Sequence, residues 1–105
     1  MTIPEKVKIG GFTYRIERPS SSFVGGDGLG VLDGEHSFSD RTIKVATVGC
    51  EEYQHVVFLH EVCHAIISNY NGTQEQDENF VEQFAKGLYQ FVVDNPQVFG
   101  GAEGK

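Results

Sequence analysis

The feature that most constrains the fold is the histidine pair of His60-Glu61-Val62-Cys63-His64, which lies inside a long apolar run. Histidines four residues apart on a helix are separated by only about 40° around its axis, so both imidazoles can bind one metal ion. The flanking residues predict a helix over 50–72, which would end near Asn71-Gly72. Its buried arc is predicted to contain Phe58, Leu59, Val62 and Ile66.

Glu61 lies on the flank of the histidine face, about a quarter-turn away. From there its carboxylate can take a proton from a water on the metal without being a ligand itself. Two nitrogen ligands and one general base on a single helical turn are typical of a metallohydrolase. The sequence therefore predicts His60 and His64 as metal ligands and Glu61 as the catalytic base. The alternative is two histidines held by hydrogen bonds in or near a core, with a capping or surface glutamate.

A second helix is predicted over 75–96, and it carries acidic residues that could complete the site. A catalytic zinc ion needs three protein ligands and an open position. Glu78 and Glu82 are one turn apart, and a short loop between the two helices would bring them beside the histidines. Either acid could be the third ligand, since the register of this helix is not fixed by sequence. The alternative for both residues is a solvated acidic face.

The HExxH motif followed by a helix bearing Glu78-x-x-x-Glu82 resembles the gluzincin pattern of zinc metallopeptidases. The resemblance implies that Glu78 is the third zinc ligand and that Glu82 orients a ligating histidine, with Glu82 as the alternative ligand. Residues 77–85, together with Asp94-Asn95-Pro96, are also similar to small zincin-like proteins encoded in phages and prophages. A metzincin is excluded because no third histidine or glycine follows the motif at the required spacing.

The resemblance implies a zinc-dependent peptidase that cleaves a peptide or protein substrate, with Zn²⁺ held by His60, His64 and Glu78. Glu61 would accept the proton of the attacking water and deliver it to the leaving amine. Two alternatives belong to other classes. The zincin scaffold could be a catalytically weak binding module for a regulatory or host protein, or the zinc could be structural and simply stabilise a small fold.

Length, charge and cysteine content narrow the class of protein further. The 105 residues fit a single domain over 1–105, and the net charge of −7 argues against nucleic-acid and anionic membrane partners. The sequence shows neither a signal peptide nor a membrane-spanning run, which predicts a cytoplasmic protein. Cys50 and Cys63 would be more than three helical turns apart, too far for a disulfide. Cys63 is predicted to be a small buried hydrophobe, and the alternative is a competing metal ligand or redox-sensitive neighbour of His64. No pattern indicates an oligomeric state.

Residues 1–49 read as strands and loops, so the predicted fold class is α+β, with a small three- to four-stranded sheet packed on the HExxH helix. Gly10-Gly11 predicts a tight hairpin turn. By analogy with zincins, the resemblance implies that residues 41–45 form an edge strand at the rim of the cleft, where an extended peptide could pair. The alternative is an edge that faces water and is protected from aggregation by Lys44. Lys6–Ile9 and Phe12–Glu17 are predicted to form two short strands or one bent strand, and residues 31–34 a short strand and turn.

The remaining histidines and tyrosines are not predicted to bind the metal. His55 is offset by about 140° from His60, which makes it a poor ligand, and His36 is predicted to lie on the surface. Tyr53 and Tyr70 flank the site helix, and either could donate a hydrogen bond to an oxyanion. Residues 97–105 are predicted to be a flexible tail.

Overall fold

The computed structural model describes residues 1–71 and 77–96, and it confirms the predicted α+β class. A four-stranded mixed sheet and a two-stranded sheet precede two helices. In chain order the elements are β1 (Lys6–Ile9), β2 (Phe12–Glu17), β3 (Phe23–Val24), β4 (Val31–Leu32), β5 (Gly34–Ser37), β6 (Thr42–Val45), α1 (Glu51–Asn71) and α2 (Glu78–Asp94).

The hairpin of β1 and β2 forms as predicted. Ile9 pairs with Phe12, which leaves Gly10 and Gly11 as a two-residue turn. Both glycines have positive φ, 59° and 84°, the combination that a type I′ turn requires. The turn therefore fixes a register in which Tyr14 and Ile16 are buried on the face of the sheet that packs against α1.

The strand order of the main sheet is β1-β2-β6-β5. The predicted placement of residues 41–45 at the rim was wrong, because β6 pairs in parallel with β2 on one side and antiparallel with β5 on the other. Two residues of β6, Ile43 and Val45, are fully buried on the face that packs against α1. Lys44 therefore does not protect an edge.

The edge of the sheet next to α1 is β5, a strand that the sequence did not predict. Its residues Gly-Glu-His-Ser show no apolar alternation and little intrinsic β-propensity. The strand forms because it pairs along its whole length with β6, from Gly34 opposite Val45 to Ser37 opposite Thr42. This pairing brings β5 alongside α1 and places its outer edge beside the histidines.

The core lies between the sheet and α1. Sheet residues Tyr14, Ile43 and Val45 pack with helix residues on the buried face of α1, namely Phe58, Leu59, Cys63 and Ala65. Ile66 was wrongly predicted to be buried, since 42% of it is exposed. Cys63 is buried, as predicted, and both cysteines are free.

Helix α2 packs on α1 through the buried residues Val81 and Ala85. Asp77 caps its start, because the Asp77 carboxylate accepts hydrogen bonds from the backbone N–H groups of Asn79 and Phe80. The helix ends at Asp94, close to the prediction. The predicted helix start at 75 and the predicted tail over 97–105 fall outside the described residues. Within the described residues, neither helix is long and apolar enough to cross a membrane.

Candidate metal centre

His60 and His64 extend from one face of α1 and meet at their ring nitrogens. Their Nε2 atoms are 3.1 Å apart, and their ring centroids are 4.8 Å apart. Both side chains are largely buried, with 16% and 13% of their surface exposed. The helix geometry expected from the i and i+4 spacing is therefore realised, and both Nε2 atoms point to a common centre.

Glu78 approaches the same centre from the first turn of α2. Its Oε1 atom is 3.1 Å from His60 Nε2, and its Oε2 atom is 3.1 Å from His64 Nε2. The Asp77 cap fixes the turn that carries Glu78. Because 72% of the Glu78 side chain is exposed, the centre opens to solvent on this side.

His60, His64 and Glu78 together form a group that could hold a metal ion. Ligand atoms about 2.0–2.1 Å from a tetrahedral zinc ion lie about 3.3 Å from one another. The separations of 3.1 Å among the two Nε2 atoms and the Glu78 carboxylate are close to that value. The three side chains thus need little rearrangement to bind such an ion.

Glu82 contacts the opposite nitrogen of His60. Its Oε1 atom is 2.8 Å from His60 Nδ1, and its Oε2 atom is 3.4 Å from Lys86 Nζ. Burial alone would raise the pKa of Glu82, but the hydrogen bonds and charges of His60 and Lys86 outweigh it, so the pKa is lowered. The ionised carboxylate only accepts hydrogen bonds, so Nδ1 of His60 carries a proton directed at Glu82.

The contact between Glu82 and His60 Nδ1 determines what the Nε2 atom of His60 presents to its neighbours. In a neutral imidazole with the proton on Nδ1, Nε2 presents a lone pair. The Nε2 atom of His60 faces the Glu78 carboxylate and His64 Nε2. Electron-rich atoms this close to one another are stabilised by a cation between them. Glu78 and Glu82 therefore take up different positions relative to His60.

Glu61 is buried beside this centre. It lines a cavity of about 360 Å³ together with His60, His64 and Glu78. Burial is the main reason that the pKa of Glu61 rises to about 7, and the negative charges of Glu78, Glu35 and Glu82 add to it against the opposing effect of His60. A carboxyl group with a pKa near neutrality can both accept and return a proton, which suits a general base.

The raised pKa of Glu61 predicts a pH-dependent stability for the metal-free protein. The folded state holds the proton of Glu61 more tightly than the unfolded state does. The contribution of Glu61 to folding stability is therefore favourable below pH 4.5 and is lost as the pH rises to about 7. Above that pH the buried charge costs on the order of 3 kcal/mol. Chemical denaturation should therefore find Glu61→Gln more stable than wild type at pH 8 and similar at pH 4.5. An equal difference in stability between Glu61→Gln and wild type at both pH values would contradict this expectation. Glu51→Gln is the control.

Gly34 at the start of β5 allows the edge strand to approach α1 closely. A Cβ atom at this position would lie 2.5 Å from Val57 Cγ1 and 2.9 Å from Glu61 Oε2. We expect Gly34→Ala to destabilise the protein by about 1–3 kcal/mol and to displace the Glu61 carboxylate. Gly30→Ala is the matched control, because nothing lies within 4 Å of its added Cβ. Equal melting temperatures for the two variants would contradict the tight contact.

His36 was wrongly predicted to lie on the surface. It is opposite Ile43 in the sheet, is half-buried against Tyr14 and lines the same cavity as Glu61. Among the described residues, its buried Nε2 atom has no hydrogen-bond partner. Burial is the main reason that the pKa of His36 is lowered, and an electrostatic contribution from His64 adds to it. His36 could have been placed in this cavity only if β5 had been predicted.

His55, the other histidine of α1, packs against Tyr89 of α2.

Comparisons with protein-family models, with curated proteins and with solved structures gave no match.

Proposed function

We propose that this protein is a zinc-dependent metallopeptidase of the gluzincin type. The observation that supports it best is the convergence of His60, His64 and Glu78, with the buried Glu61 carboxylate in the same cavity. Two imidazoles and one carboxylate are the ligand set of zinc sites that activate water for peptide hydrolysis. A purely structural zinc site would use four protein ligands, and the group formed by the described residues has three.

Glu61 and Glu82 have different roles in the proposed hydrolysis. Zinc, when bound, supplies the Lewis acid that polarises water and the peptide carbonyl. Glu61 accepts the proton of the attacking water and passes it to the leaving amine. Glu82 holds the Nδ1 proton of His60, which fixes the tautomer and orientation of that ring.

The edge strand β5 provides a way to align an extended substrate. It forms one edge of the four-stranded sheet and runs past the cavity that contains Glu61. An extended peptide can add to such an edge through main-chain hydrogen bonds, which position the peptide without fixing its sequence. Pairing beside Glu35 and His36 would bring a peptide bond towards the histidines.

Elemental analysis and peptide hydrolysis test this proposal together. Protein reconstituted with zinc should contain about one ion per chain, and His60→Ala and Glu78→Ala should each lose it. Glu51→Gln, an exposed acid on the same helix as the histidines, should retain the metal. Unstructured peptides should be cleaved by the zinc-loaded protein and not by either depleted variant. Zinc retained in both variants, or zinc-loaded protein that cleaves no peptide, would overturn the proposal.

A further inference from the structure

A second cavity of about 540 Å³ extends from His60 and Glu61 along the N-terminal half of α1. Part of its lining is aliphatic. Val56 and Val57 line the cavity from α1, and Val31 and Leu32 line it from β4. Aliphatic side chains therefore line the cavity between His60 and Tyr53, while Glu61 and Glu82 line its end at the histidines.

The far end of this cavity is polar and acidic. Tyr53 lies seven residues before His60, which is about 10 Å along the helix axis on nearly the same face. Asp33 and Glu52 line the cavity beside it. A side chain that reaches this end from a residue at the metal centre must be long and must end in a group that can donate hydrogen bonds.

Asp33 is held in place as a hydrogen-bond acceptor. One carboxylate oxygen accepts from the Ser22 hydroxyl and the other from the Tyr53 hydroxyl. These hydrogen bonds, that of Ser22 first, lower the pKa of Asp33, and the pairing raises the pKa of Tyr53 to about 12. An ionised carboxylate has about four acceptor sites, so Asp33 can accept further hydrogen bonds.

The charges around the cavity add up to an excess of negative charge. Four acidic residues line it, Asp33, Glu52, Glu61 and Glu82, together with His60 and one lysine, Lys86. The Lys86 ammonium is paired with Glu82, at 3.4 Å, and therefore leaves Asp33 and Glu52 without a compensating cation among the residues that line the cavity. An anionic side chain would be repelled, and a neutral apolar one would leave these carboxylates to solvent.

We propose that this cavity binds the lysine or arginine side chain of a peptide residue next to the scissile bond. Lysine and arginine combine an apolar stem with a charged head. The stem would pack on Val56 and Val57, and the head would bind the carboxylates of Asp33 and Glu52. The inference rests on the proposed peptidase function for its position next to a scissile bond, but binding of a basic side chain can be measured without turnover.

The test compares two peptides that differ only in the charged head: acetyl-Gly-Gly-Lys-Gly-Gly-amide and its norleucine analogue. Titration of metal-free protein by NMR should show that the lysine peptide binds at least about tenfold tighter, with shifts at Asp33 and Tyr53. Asp33→Asn and Glu52→Gln should each remove most of that preference. Asp33→Asn keeps an oxygen for the Tyr53 hydroxyl, and Glu51→Gln, on the same helical turn, should change nothing.

Equal affinity for the two peptides, or a preference that survives in both variants, would overturn the inference. Hydrolysis by zinc-loaded protein separates it from the proposed function. Cleavage without preference for a basic residue would refute the basic site and leave the peptidase. A lysine preference in binding without cleavage of any peptide would refute the peptidase and leave the basic site.

Discussion

The zinc-loaded Glu61→Gln protein should bind the metal as wild type does and lose peptide hydrolysis by about 10²–10⁴-fold. Glutamine preserves the shape of the side chain but cannot take a proton from water. Glu61 is not among the three residues that converge as a metal-binding group, so metal content should not change. The loss should appear in kcat rather than in KM, because the carboxylate acts on the proton and not on substrate binding.

This expectation is checked by measuring zinc content and hydrolysis on the same preparation. Glu51→Gln provides the matched control, since it removes one carboxylate from the exposed first turn of the same helix. A Glu61→Gln protein that contains a full complement of zinc and still cleaves peptides at the wild-type rate would refute the assigned role of Glu61. Loss of zinc would instead indicate that Glu61 is itself a ligand.

Local sequence signals predicted the parts of the fold that depend on neighbouring residues. The period of the apolar residues placed α1 within a residue at its start, and Gly10-Gly11 predicted the hairpin turn. The positions of Ile43 and Val45 on a central strand depend instead on long-range pairing with β2 and β5. A strand that is buried on one face looks much the same in sequence at the edge or at the centre of a sheet.

The same distinction applies to the site. The helical spacing of His60 and His64 was sufficient to predict that both imidazoles face one centre. Helix period alone puts Glu78 and Glu82 on one face, but only the packing of α2 on α1 separates them. Glu78 reaches the Nε2 side of His60, and Glu82 reaches the Nδ1 side. His36 could not be assigned to the cavity because it lies on β5, which forms only through pairing with β6.

Zinc should stabilise the wild-type fold strongly. Glu78 and Glu82, the two acids of α2, should contribute differently to that stabilisation. Free zinc at about 1,000 times its dissociation constant stabilises a protein by about 4 kcal/mol. For a domain of this size that corresponds to a rise in melting temperature of roughly 15–30 °C. Glu78→Gln should abolish most of the rise, because a glutamine carbonyl replaces a charged ligand atom.

Glu82→Gln should have a smaller effect, because the glutamine oxygen can still accept the hydrogen bond from His60 Nδ1. Loss of such a supporting contact typically weakens metal affinity about 10–100-fold, which would lower the stabilisation by zinc by about 1–3 kcal/mol. Melting temperatures with and without a chelator measure both variants. The metal-free Glu78→Gln protein should melt close to metal-free wild type, since this side chain is 72% exposed. If Glu82→Gln abolished the rise and Glu78→Gln did not, Glu82 would be the third ligand.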